Sequence, residues 1–193
     1  MNYRFLLQRL KYLLINPVKA WEDIYSEKSS IKDARDSYFF PIIILIALAA
    51  LIGSLLFANS ELKIAFSLFT GIKYFLLFYL VIYATAYIFK EITYALDLGR
   101  DFTLSFKIIT YSLTPFFICQ ILSLIFESFI FINILSLYGL YIFWTGSEKM
   151  LNPPEYKKMP LLIATFITFT GVFIAANILL TMISDKLYFA FFA

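Results

Sequence analysis

The sequence predicts an all-α, polytopic membrane protein: five transmembrane helices with an N-terminal interfacial helix, in a single membrane domain over residues 1–193. Three observations carry that reading. The chain is 62% hydrophobic and 20% aromatic, with a mean hydropathy of +0.83, whereas soluble domains are about half apolar and about a quarter charged. Five runs have the length and composition of helices that cross a hydrocarbon core, which takes about 20 mostly apolar residues. Thirteen of the sixteen lysines and arginines fall in segments that would share one side of the bilayer.

The runs lie at roughly 38–58, 69–89, 104–125, 128–146 and 160–183. They are continuous rather than alternating, which argues against barrel strands. Only Glu127 and its neighbours separate the third from the fourth, so these two form a tight helical hairpin. Residues 1–37 supply cytoplasmic and interfacial helices. Their opening, "MNYRFLLQRLKYLLINP", has neither the uninterrupted apolar core nor the cleavage site of a signal peptide. It predicts an interfacial amphipathic helix with Arg4, Arg9 and Lys11 towards the head groups, or alternatively a short helix packed on the bundle. Asn16 is the N-cap and Pro17 the first residue of a second short helix, which puts Trp21 near the interface.

Orientation follows from the basic residues. Arg4, Arg9, Lys11, Lys19, Lys28, Lys32 and Arg35 precede the first span. Lys90, Arg100 and Lys107 surround the connection from the second to the third, and Lys149, Lys157 and Lys158 the one from the fourth to the fifth. Lys63, Lys73 and Lys186 stand on the other side. The N-terminus is therefore expected in the cytoplasm and the C-terminus outside.

Histidine is absent and Cys119 is the single cysteine, which removes the usual zinc, haem and iron–sulfur ligand sets. No cofactor, metal or nucleic-acid partner is expected. Charged residues in the apolar spans are few: Lys73 near the outer start of the second, Lys107 near the inner start of the third and Glu127 in the outer hairpin, each near enough to an interface to snorkel. No charge lies near a midplane, where proton relays and ion pathways place theirs, and no histidine or carboxylate is there to activate a serine. The chain is expected not to be an enzyme.

Small residues mark contact faces between helices in lipid. Ala164, Thr168, Gly171 and Ala175 form such a stripe in the fifth span, Gly139 and Gly146 share a face of the fourth, and Ala47, Ala50 and Ser54 lie in the first. They suit internal packing or a homodimer seam. Tyr79, Tyr83 and Tyr87 follow one another at steps of four in the second span. With Ser112 they could line a polar path, or else bond to neighbouring helices or sit in an interfacial belt.

The stretch "TYSLTPFF", Thr110 to Phe117, puts a proline inside the third span. Pro115 has no N–H to offer the Tyr111 carbonyl, which in lipid must find another donor. Thr110, Ser112 and Thr114 stand beside it. A bent helix results, the bend serving packing or else forming a hinge or ligand-facing notch.

"LGRDFTLSFKIITYSLTPFF" and "LYGLYIFWTGSEKML" together resemble the Yip family, the Ypt/Rab-interacting membrane proteins and their prokaryotic relatives, and "NPVKAWEDI" is similar to the opening segment of bacterial members. The family pattern falls on Gly99, Tyr111, Thr114, Pro115, Gly139 and Gly146. The resemblance implies a five-span bundle with a cytoplasmic N-terminus and, in eukaryotic members, binding to prenylated Rab GTPases in vesicle traffic. The long N-terminal region and Asp-Leu-x-Gly-Pro type element of that branch are not in this sequence. A prokaryotic-type member in the bacterial cytoplasmic membrane is the expectation, acting through the lipid bilayer and another membrane protein or a second copy of itself in membrane organisation or trafficking. The rival is a small-solute or ion permease built on the hydroxyl-rich faces of spans two and three.

Overall fold

The computed structural model describes residues 3–192 apart from Lys28 and residues 59–61, and leaves out the side chains of residues 3, 127–129, 189, 191 and 192. Lys28, counted above among the basic residues, and the side chain of Glu127 therefore lie outside the described residues. Every regular element among the rest is helical. Four helices, Ile31–Phe57, Lys63–Ala95, Ile130–Leu151 and Glu155–Tyr188, are long and apolar enough to cross a membrane. A bent pair, Phe102–Ser112 and Thr114–Ile125, at 47° to each other, is apolar enough when taken together and makes a fifth candidate if it is one span.

Helices α1 (Tyr3–Ile15) and α2 (Pro17–Ser26) form an antiparallel hairpin. Asn16 caps α2 by accepting from the Lys19 amide, with Pro17 in the first turn. At the open end Arg9 pairs with Glu27. Arg9 is buried, not turned to head groups, because its guanidinium has this carboxylate and the rings of Phe5 and Tyr111 to meet. Arg4 and Lys11 do face outward. The hairpin packs along α8 (Tyr138–Leu151): the Tyr138 hydroxyl donates to the Leu14 carbonyl at 3.1 Å, and Lys149 pairs with Glu22 at 3.7 Å.

The first span starts at α3 (Ile31–Ala34), whose Ser30 and Asp33 form a reciprocal capping box. Pro41 cannot donate to Ser37, and the ladder slips into a π-turn over Arg35–Phe39 before α4 (Phe40–Phe57) resumes. That turn buries two consecutive side chains, Tyr38 and Phe39. Helix α4 packs on α5 (Lys63–Ala95) and on α7 (Thr114–Ile125). A Cβ on Gly53 would run into the Leu124 carbonyl, and one on Gly71 would lie 3.2 Å from the Ala47 oxygen. The close approach expected from Ala47, Ala50 and Ser54 is thus built around two further glycines.

Helices α5 and α9 (Glu155–Phe192) run well past the apolar runs at 69–89 and 160–183, since backbone hydrogen bonding does not stop where hydrophobicity does. The fourth span begins as a 3₁₀ segment, Glu127–Leu137, and becomes α-helical only in α8. The hairpin it makes with α7 is fixed by Cys119 donating to the Ile132 carbonyl at 3.3 Å and Gln120 to Asn133 at 3.1 Å. Helix α9 lies at the edge, against α5 through Phe169, Val172, Phe173, Ala176 and Leu180. The later half of its small stripe turns outward, since a Cβ added at Gly171 would meet nothing within 4 Å and Ala175 is exposed, whereas Ala164 and Thr168 are half-buried.

The turn after α5 is set by backbone conformation. Asp97 (φ 54°) and Gly99 (φ +101°) both adopt positive φ. Leu98 donates back to the Thr93 carbonyl at 2.8 Å and Asp97 to Tyr94 at 3.0 Å, a Schellman closure. Lys157, from the start of α9, donates to the Leu96 carbonyl at 2.5 Å and completes the cap.

Candidate functional site at the break in the third span

Helices α6 (Phe102–Ser112) and α7 meet at Leu113, where the backbone leaves helical geometry. Asp101 caps α6 by accepting from the Thr103 and Leu104 amides at 2.7 and 3.2 Å. The Tyr111 carbonyl freed by Pro115 accepts from the Thr114 hydroxyl at 2.5 Å. Thr114 in turn lies 2.6 Å from the Tyr38 hydroxyl. The Thr114 proton is committed to the carbonyl, so Tyr38 is the donor to Thr114. Of the three hydroxyls flanking the proline, only Thr114 serves the carbonyl; Thr110 and Ser112 leave theirs without a partner.

Around this break the family-pattern residues interlock. The Tyr111 ring packs at 4.6 Å on Tyr38 and at 6.0 Å, edge-on, against Trp21. Trp21 is fully buried within the protein, and its indole N–H donates to the Ile142 carbonyl at 2.9 Å. Gly146 has no room for a Cβ because the indole lies on it, while a Cβ on Gly139 would sit 2.8 Å from the Ser112 carbonyl oxygen. The two glycines of the fourth span therefore serve different partners, one an indole and one the broken backbone. Gly99 stands apart in the turn after α5. Lys107 is buried on α6 and donates to the Ser29 carbonyl, tying the α2–α3 connection to the third span.

The hydroxyl-bearing residues of the second span divide. Tyr79 and Tyr83 stack at 4.8 Å and pack on Phe40 and Phe106. Tyr87 is 57% exposed, with the Lys90 ammonium 4.1 Å from its ring centroid. Ser112 is buried beside Thr85, Gly139 and Phe143, away from the tyrosine stack. Sequence reasoning named Tyr111, Thr114, Pro115, Gly139 and Gly146 but not Tyr38 or Gly53. Pro41, which shifts the helix register just after Tyr38, was the available signal for the former.

Thr114→Val should leave both the Tyr111 carbonyl and the Tyr38 hydroxyl unsatisfied, at about 1–3 kcal/mol for each group. Thermal unfolding in detergent should show a clear drop, with Thr114→Ser close to the parent protein. Equal melting of the valine and serine variants would mean that the hydrogen bonds at the break carry no stability.

The family model for the Yip1 domain matches residues 11–178. No curated protein and no solved structure matches the chain. The matched stretch takes in Trp21, Tyr38, the broken third span and both glycines of the fourth, all the parts that interlock at the break. It covers most of the sequence, and the chain belongs to the Yip1-domain family of multi-pass membrane proteins.

Proposed function

We propose that the protein acts without catalysis, by contact with lipid and with another membrane protein at the cytoplasmic face, in membrane organisation or trafficking. One observation carries this reading. The α1–α2 hairpin presents Leu7, Ile15 and Val18, 65%, 70% and 50% exposed, with Lys11 and Lys19 exposed beside them. Apolar side chains flanked by lysines suit the boundary between head groups and acyl chains, above all where lipids are anionic. In this reading the hairpin lies in the cytoplasm and the C-terminus outside, in a bacterial cytoplasmic membrane, and the basic asymmetry supports that orientation. The outward stripe of α9 gives a second copy a close-packing face.

The stacking of Tyr79 and Tyr83 on aromatic neighbours, with Ser112 on another side, favours contact over conduction. Purification in mild detergent with identification of the retained lipids and proteins tests the reading. Anionic lipid should be enriched over zwitterionic, and Lys11→Gln with Lys19→Gln should reduce that enrichment about fivefold or more. A sodium- or proton-driven flux in sealed vesicles that Tyr83→Phe abolishes would instead make the permease the better reading.

A further inference from the structure

Among the four long spans, α9 is the one least covered by its own protein: 6% of its most apolar stretch is buried, against 44% in the first. One face is taken by α5, through Phe169, Phe173 and Leu180. A second face is left largely open. Along it Ile163, Ile167, Thr170, Ile174, Asn177 and Thr181 follow one another at steps of four, three, four, three and four, the spacing of a left-handed seam between two helices. The three isoleucines are 50%, 64% and 52% exposed, and Thr170, Asn177 and Thr181 are half-buried. Asn177 is the anomaly in this seam. No charged residue lies between Lys158 and Asp185, and at 1.5 Å per residue Asn177 is about 12 Å inside the Asp185 end, within the hydrocarbon. Its backbone carbonyl accepts from the Thr181 hydroxyl at 2.7 Å, but its carboxamide makes no hydrogen bond among the described residues. The side chain is not enclosed either, so another helix can reach it.

A carboxamide left unpaired in hydrocarbon is costly, and neither water nor acyl chains can relieve it there. The missing bonds have to come from a polar group on another helix at the same depth. A second copy of the chain always carries one. All copies insert with the same orientation, so a two-fold axis relating two of them runs along the membrane normal and brings identical residues together at equal depth. An amide both donates and accepts and is therefore complementary to itself. We propose that the chain pairs with a second copy through this seam of α9, the Asn177 carboxamide bonding reciprocally to its counterpart. Gly171 and Ala175, exposed beside the seam, add no bulk to hold the two backbones apart. This pairing rests on the function proposed above, action by contact within the membrane, and names the partner and the residue that selects it.

Energy transfer between donor- and acceptor-labelled full-length chains in liposomes, followed as the protein is diluted into lipid, reads the pairing constant. Asn177→Leu should weaken pairing about tenfold, the loss expected for two hydrogen bonds between helices in lipid. Asn177→Gln keeps the amide and should restore most of it. Because the carboxamide has no partner within the chain, Asn177→Leu should melt in detergent at the parent's temperature. Disulfide cross-linking in native membranes locates the contact: Ile174→Cys, on the seam, should cross-link well above Leu179→Cys, which is 56% exposed but off the seam. The parent, whose Cys119 is buried, is the blank. Pairing of Asn177→Leu as tight as the parent's, equal cross-linking at both cysteines, or a chain that stays monomeric at every dilution would overturn the proposal. So would a fall in melting temperature in Asn177→Leu, which would mean that the amide serves its own fold. A monomer that still enriches anionic lipid sinks the pairing alone, whereas a pair that does not enrich it sinks the role given to the hairpin.

Discussion

Trp21→Ala is expected to lower the unfolding free energy by about 3–5 kcal/mol, the range for deleting a large buried aromatic. The indole is fully buried between α8 and the broken third span, lies on Gly146 and closes one side of the Tyr111 ring. Its removal opens a void and also strips the Ile142 carbonyl of its indole donor. Trp21→Phe refills much of the volume without the donor, which isolates the hydrogen bond at about 1 kcal/mol. Thermal or detergent-induced unfolding of the two variants, with Val18→Ala as an exposed control, measures the difference. A Trp21→Ala effect no larger than the control would show that the hairpin is not docked on α8.

Gly53→Ala is expected to be the most damaging single-carbon addition in the chain, by about 1–3 kcal/mol or more. The obstacle is the Leu124 backbone carbonyl, and a backbone atom, unlike a side chain, has no rotamer by which to retreat. The first span would have to move away from α7 along their contact. Gly171→Ala is the matched control, adding the same carbon where nothing lies within 4 Å, and should change stability by no more than about 0.5 kcal/mol. If both variants unfold alike, the α4–α7 contact is looser than the structure shows.

Much of the architecture was legible in the sequence because a membrane imposes a length and hydropathy that a single chain displays openly. The same is true of Pro115: the missing N–H and the neighbouring hydroxyls are local features, and Thr114 answers them three residues from Tyr111. What could not be read involves partners far apart in sequence. The expectation that Arg9 faces head groups rested on local amphipathicity, whereas Glu27 claims the guanidinium, and nothing local announced that Ile142, Gly146 and Tyr111 would enclose the Trp21 indole. The stripe at Gly171 failed as a packing signal for a related reason. Small residues permit close approach, but the larger Phe169 and Phe173 on another face of α9 decide where it packs.

The bond from Trp21 to the Ile142 carbonyl joins residues 121 positions apart, and this has a consequence for biosynthesis. At roughly 5–20 residues per second, about 6–24 s pass between the emergence of the hairpin from the ribosome and that of its docking surface. Through that interval Trp21, fully buried in the finished fold, has neither Ile142 nor Gly146 of α8 to meet it. The segment made first is thus among the last to reach its place, and its docking waits until the fourth crossing has been threaded.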